Sequence, residues 1–204
     1  MHILLFGASG RVGSRVLQQA RSEGHDVTAF VRDADEVPPD VPTVVGDVRD
    51  VDAVGDAVPG HDAVCSALGP DNDDCVSVLE AGMVNIVEAM EAASVERLVA
   101  VGADGILQAT PARLRLETQE FPDTMRALAS AHYRAFEAVR SSSLAWTLVC
   151  PPLMPDGQVT NHYRTATDYL PDGGQSISVG DIATFVYREL VSNDHVGKRV
   201  GIAY

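Results

Sequence analysis

Seven residues near the start of the chain, Gly7-Ala8-Ser9-Gly10-Arg11-Val12-Gly13, constrain its fold more than any other stretch. They follow Ile3-Leu4-Leu5-Phe6, a short apolar run that reads as a buried strand. Val12, Val16, Leu17 and Ala20 then recur at the spacing of an amphipathic helix. A strand, a glycine turn and a helix in that order make a seat for an anion. Gly7 permits the tight turn, Gly10 lets the backbone approach a phosphate, and Gly13 lets the helix pack close to the strand. The free N–H groups at the helix start point at the negative charge, and the Ser9 hydroxyl adds a donor. The spacing is G-x-x-G-x-x-G rather than G-x-G-x-x-G. Its place between strand and helix supports a dinucleotide pyrophosphate over glycines that serve packing alone.

The alternation continues along the chain. Val27–Val31, Thr43–Val45, Asp62–Leu68, Arg97–Ala103 and Ala145–Cys150 read as strands. Helices are expected from near Val51, over about Ser77–Ala93, about Thr124–Ser141 and Asp181–Leu190, with Val200–Tyr204 as a last edge strand. The expected fold is α/β: a Rossmann-type, doubly wound, mostly parallel sheet with helices on both faces, as a single NAD(P)-binding domain over residues 1–204. Irregular stretches near 104–122 and 153–178 read as loops on the substrate side.

The strand ends suggest which nucleotide fits. An acidic side chain after the second strand suits the ribose hydroxyls of NAD, whereas a 2′-phosphate needs a cation. Arg32 stands there with Asp33 one residue on, and Arg11 offers a second guanidinium to the same phosphate, so NADP(H) is expected over NAD(H). The alternative is that Arg32 pairs with Asp33 or Asp35 at the surface. Gly46-Asp47-Val48 ends the third strand. Asp47 either accepts from an adenine amino group, with Val48 against the ring, or caps the helix near Val51. Val12, Leu68, Gly69, Ala103 and Pro151, at the turn and the ends of the first, fourth, fifth and sixth strands, complete the candidate cofactor contacts. Gly69 would let the backbone pass beside the pyrophosphate or the nicotinamide ribose.

The 204 residues carry a net charge of −14, and Lys198 is the one lysine beside fourteen arginines. Such a surface repels nucleic acid and anionic membranes, so neither partner is expected. The same balance is similar to that of proteins adapted to molar salt, and equally fits an arginine-favouring genome with ordinary acidity. No run approaches a spanning helix and no signal-peptide pattern opens the chain, so a cytoplasmic protein, monomeric or a small homo-oligomer, is expected. Cys65, Cys75 and Cys150 form no C-x-x-C pair, and Cys65 and Cys150 read as buried thiols. The acidic loop Asp71-Asn72-Asp73-Asp74 lacks calcium-loop spacing, and no metal site is expected.

The glycine turn, Val31-Arg32-Asp33, Gly46-Asp47-Val48, the strand from Leu144 to Pro152 and Gly180-Asp181-Ile182-Ala183 together resemble the atypical short-chain dehydrogenase-related NAD(P)-binding proteins. Within that group, through residues 82–90 and Cys150-Pro151-Pro152 as well, the chain is most similar to the flavin reductase/biliverdin-IXβ reductases over nearly its whole length. The resemblance implies an NADPH-binding Rossmann fold and reduction of flavins or related conjugated rings.

The departures concern catalysis. Typical members carry Tyr-x-x-x-Lys, but Tyr133 is followed by Glu137, a carboxylate that would raise the tyrosine's pKa. Ala103 occupies the place of the relatives' serine, and Leu153 that of a histidine. His132 matches a histidine of those relatives and is the titratable candidate carried over, to donate a proton near neutral pH or to orient the nicotinamide ribose; the alternative is an exposed histidine on a helix. His162, Tyr163 and Tyr169 are weaker pocket candidates, Ser66 is expected to satisfy its own neighbourhood, and Asp181 to cap its helix. The expected activity is hydride transfer from NADPH to a planar conjugated acceptor such as a flavin, quinone or tetrapyrrole-like ring, in which the cofactor carries the chemistry. A non-catalytic NADP(H)-sensing regulator is the alternative, and a sugar-nucleotide epimerase or dehydratase the third.

Overall fold

The opening apolar run becomes strand β1, His2–Phe6, and its alternation sorts two cores. Ile3 and Leu5 face one side of the sheet, Leu4 and Phe6 the other, and all four are buried. The computed structural model describes residues 1–69 and 75–204. Helix α1, Gly13–Ser22, lays Val16, Leu17 and Ala20 on the first face. It ends because Gly24 takes φ +83, letting the Gly24 and His25 amides return to the Arg21 and Ala20 carbonyls.

Strands β2 (Asp26–Val31), β3 (Thr43–Val45), β4 (Ala63–Ser66) and β5 (Arg97–Val101) follow, with helices α2 (Val51–Ala57) and α3 (Cys75–Ala93) between them. A short hairpin, β6 (Gln108–Thr110) and β7 (Arg113–Leu114), interrupts the stretch after β5. Helix α4 (Asp123–Ser141), β8 (Ala145–Cys150), β9 (Arg164–Thr167), α5 (Val179–Val191) and β10 (Lys198–Ala203) complete the chain. The sheet order is β3-β2-β1-β4-β5-β8-β10-β9, parallel throughout except for β9. Helices α1 and α5 cover one face, and α2, α3 and α4 the other. This is the expected doubly wound α/β arrangement, with the order reversing between β1 and β4, where ligands bind outside the carboxyl ends of the strands.

Three expectations change. The last strand is not the edge, because β9 pairs antiparallel outside β10. Three of its four residues are exposed, so it carries no apolar alternation to read. The 104–122 stretch is a hairpin flanked by short 3₁₀ turns rather than an open loop. Helix α5 is capped by Ser178, whose Oγ accepts from the Asp181 amide, so Asp181 sits inside the first turn and does other work. The acidic stretch 71–74 lies outside the described residues. Among the described residues, no helix is long and apolar enough to cross a membrane, and no group of three metal-ligating side chains occurs.

Candidate functional site

The glycine turn closes tightly against the end of β4. Gly7 has φ +75, and a Cβ on it would lie 2.6 Å from the Ala67 carbonyl oxygen. A Cβ on Gly13 would lie 2.0 Å from the Gly7 oxygen, closer than any side chain permits. The Gly10 amide donates to Gly7 O at 3.0 Å, and Ser14 N to Gly10 O at 2.9 Å, which sets the first turn of α1. The N-cap position of α1 holds Val12, which brings no side-chain acceptor, and its first turn holds no acid. The positive end of this helix thus carries no side-chain cap and no acid of its own, as anion-binding helix starts do, and Ser9, Gly10 and Arg11 are exposed around it.

At the ends of β2 and β3 the structure gathers Arg32, Asp47 and Arg49. Gly46 N donates to Val31 O at 2.9 Å, which brings the residues after the two strands side by side. The Arg49 guanidinium holds the Asp47 carboxylate through Nη2 at 2.6 Å and Nε at 3.0 Å, and the Arg49 amide adds a bond at 2.9 Å. These bonds hold the Asp47 carboxyl below its ordinary value, and the charge of Arg32 lowers it further. The capping role considered for Asp47 belongs instead to Asp50, whose Oδ1 accepts from Asp52 N and Ala53 N. Asp33, the surface partner considered for Arg32, accepts from Asp35 N. Val48 is 6 % exposed and is fixed from beneath by α3: Asn85 Nδ2 donates to its carbonyl at 2.9 Å, and Gly82 presses against its side chain. Arg49 and Asn85 were missed from sequence. The signal for Arg49 was its place two residues beyond Asp47; Asn85 carries none without its contact to Val48.

Arg11 lies elsewhere than expected. Its guanidinium turns to the segment after β8, bonding Met154 O at 2.6 Å and Asp156 Oδ1 at 2.8 Å. It is therefore held across the crevice toward β8, while Arg32 follows β2 on the opposite side of β1.

Beyond the glycine turn the carboxyl edge of the sheet continues over β4, β5 and β8. Leu68 is half-buried and Gly69 is exposed, and a Cβ on Gly69 would meet nothing within 4 Å among the described residues. Asp104 N donates to Pro151 O at 3.1 Å, which brings Ala103 beside Pro151. Arg115 bonds the Asp104 carboxylate through Nη2 at 2.9 Å. The stretches after β5 and after β8 meet: Gln108 N donates to Asp168 O, and between them lies a cleft of about 820 Å³ lined by Arg115, Arg164 and Tyr169.

His132 is buried, not exposed. It lies beneath the ends of β4 and β5 against Ser66, Leu68, Gly102 and Phe136, at a closed niche of about 10 Å³, near the volume of one water. Burial lowers its pKa to about 4, so at neutral pH the ring is uncharged and no imidazolium is there to donate a proton. Burial, then the Glu137 carboxylate, raises the pKa of Tyr133, which is opposite to what a tyrosine acid needs. Ser66 is 1 % exposed. His162 is exposed, and the Tyr163 hydroxyl accepts from Arg188. The thiols of Cys65 and Cys150 are buried; burial pushes Cys65 up to about 12 and raises Cys150 too, so neither is a nucleophile.

Comparison with known proteins agrees with this geometry. The sequence matches the family described as NAD(P)H-binding over residues 7–193. The chain belongs to that family. It is 32% identical to the uncharacterised protein YwnB of Bacillus subtilis (strain 168), covering 98% of this chain and 96% of that one. A Burkholderia pseudomallei protein provisionally described as exported superposes with a TM-score of 0.88 at 32% identity, over 100% of both chains. A Streptococcus pneumoniae TIGR4 protein provisionally described as an NADH-flavin reductase does so with a TM-score of 0.87 at 26% identity, over 100% of this chain and 99% of that one. The chain is thus an NAD(P)H-binding protein with an atypical short-chain dehydrogenase-like Rossmann fold.

Proposed function

We propose that the protein is an NADPH-dependent reductase that passes a hydride to a planar conjugated acceptor, a free flavin or a quinone. The observation that carries the reading is the pairing of an α1 N-terminus without a side-chain cap or first-turn acid with a neighbouring strand edge where Gly69 is exposed and His132 is buried and uncharged. A bound reduced nicotinamide supplies the hydride. The chain supplies the seat: Gly7, Gly10 and Gly13 admit the pyrophosphate, and Val48, braced by Asn85, walls the adenine side. Acceptors that take up a hydride into a conjugated ring need no protein acid in that step, whereas a ketone does. The likeness to a protein provisionally described as an NADH-flavin reductase supports the same class.

The preference for NADP(H) rests on Arg32 and Arg49, whose guanidinium groups lie beside the Asp47 carboxylate, where the adenosine ribose is expected. Guanidinium groups at this strand edge can pair with a 2′-phosphate through charge-assisted hydrogen bonds. The test is NADPH and NADH oxidation with FMN, FAD and simple quinones. Turnover with at least one acceptor is expected, faster from NADPH; absence of turnover with all of them refutes the reading.

A second reading, a non-catalytic NADP(H) sensor, is favoured by the neutral buried His132 and by Tyr133 beside Glu137. It predicts tight binding without turnover and a partner protein captured in one cofactor state only.

A further inference from the structure

Arg11 belongs to the glycine turn, yet all of its hydrogen bonds run to a segment some 140 residues further along the chain. Nη2 bonds Met154 O at 2.6 Å and Asp156 Oδ1 at 2.8 Å, and Nε bonds the same carboxylate oxygen at 3.1 Å. One helical turn on, Arg15 Nη1 donates to Gly157 O at 2.7 Å. Residues 153–157 therefore form a strap tied at its front to α1. At its back α5 braces it: Ile177 N donates to Leu153 O, Val179 N donates to Pro155 O, and Gly157 packs on Ser178.

The sheet order places β4 and β5 between β1 and β8. A dinucleotide reaching from the glycine turn after β1 to Ala103 and Pro151 after β5 and β8 must lie along the crevice that the Arg11–Asp156 bridge crosses. The two side chains are 55% and 79% exposed, so the bridge is weak, screened by salt and able to open. Arg11 Nη1 has no partner among the described residues and stays available to a phosphate oxygen.

We infer that Asp156 is a positioning residue for the dinucleotide: it holds the Arg11 guanidinium across the crevice, so that the strap over residues 153–157 acts as a latch that slows cofactor departure. This rests on the reading of the crevice as a dinucleotide site. Asp156 itself touches no reacting atom; its effect passes through Arg11.

The experiment is stopped-flow measurement of NADPH dissociation, followed by its fluorescence, for the wild type, Asp156→Asn and Asp156→Glu, each at low and high salt. Loss of an exposed ion pair predicts dissociation about fivefold faster in Asp156→Asn. Asp156→Glu is expected within about twofold of the wild type, since the charge can still reach Arg11. Added salt should shrink the ratio between the Asp156→Asn and wild-type release rates, because it screens the Arg11–Asp156 bridge in the wild type. Both variants should melt with the wild type, because Asp156 is an exposed side chain. If Asp156→Asn releases NADPH at the wild-type rate, or Asp156→Glu behaves like Asp156→Asn, the latch is refuted while the dinucleotide site stands. If the wild type binds neither nucleotide at millimolar concentration, the site and the latch fall together.

Discussion

Replacement of Asp181 tests how the chain just beyond the strap, at Thr160 and Asn161, is held. The residue is 0% exposed, yet its carboxylate is saturated. Oδ1 accepts from Thr160 N and Asn161 N, both at 2.8 Å, and Oδ2 accepts from Thr160 Oγ1 and Tyr204 Oη, both at 2.7 Å. Burial works against the charged form, but the bonds from Asn161, Thr160 and Tyr204 outweigh it and hold the carboxyl below its ordinary value of 3.8. Asp181→Ala removes these contacts, and with them the one from Ser178 Oγ at 3.2 Å, and strands the donors, at a cost of about 3–5 kcal/mol. Asp181→Asn keeps Oδ1 and lets the two hydroxyls turn to accept, so about 1–2 kcal/mol is expected. For a chain of this length, about 1 kcal/mol moves Tm by roughly 2–4 °C, so Asp181→Ala should melt about 10 °C or more below the wild type at pH 7. The sign with pH follows from the depressed folded-state pKa. The carboxylate's contribution is fully present above the unfolded value, and is lost as pH falls through the folded one. The gap between wild type and Asp181→Ala should therefore hold from neutral pH down to about pH 5 and narrow below pH 4. Calorimetric scans of the three proteins across that range decide it. A gap under about 2 °C at pH 7, or one that widens on acidification, refutes the reasoning.

Other outcomes follow from the seat itself. Arg32→Ala and Arg49→Ala should each weaken NADPH binding about tenfold or more and leave NADH nearly unchanged, since a charge-assisted contact to phosphate is worth roughly 1.5–3 kcal/mol; titration with both nucleotides checks this, and equal losses for the two count against it. Gly13→Ala drives a Cβ into the Gly7 carbonyl and should both destabilise the fold, by about 1–3 kcal/mol, and abolish dinucleotide binding, read by thermal shift with and without NADPH. With a net charge of −14, melting should rise between 0.1 and 2 M KCl by more than a neutral control protein shows; an equal rise removes any adaptation to salt.

What could be read before folding was whatever local pattern alone decides. The glycine turn, the buried run Ile3–Phe6 and the parallel strands behind it each declare themselves within a few residues, and α1 ends at Gly24 for a reason visible in one residue. β9 could not be read, because Arg164–Thr167 turns its side chains to solvent and is a strand only by pairing with β10. Arg11 was misdirected because its partners, Met154 and Asp156, become neighbours only when the sheet is assembled. The state of His132 depends in the same way on β4 and β5 closing over α4, which lowers its pKa to about 4 and removes the proton donor that the family resemblance suggested.

The central claim is that the turn after β1 seats a dinucleotide. Isothermal calorimetry with NADP⁺, NADPH, NAD⁺ and NADH, at low and at molar KCl, tests it most directly. The account predicts saturable one-to-one binding, tightest for the phosphorylated pair, abolished in Gly13→Ala. No heat from any of the four at millimolar concentration, in either salt, would contradict it.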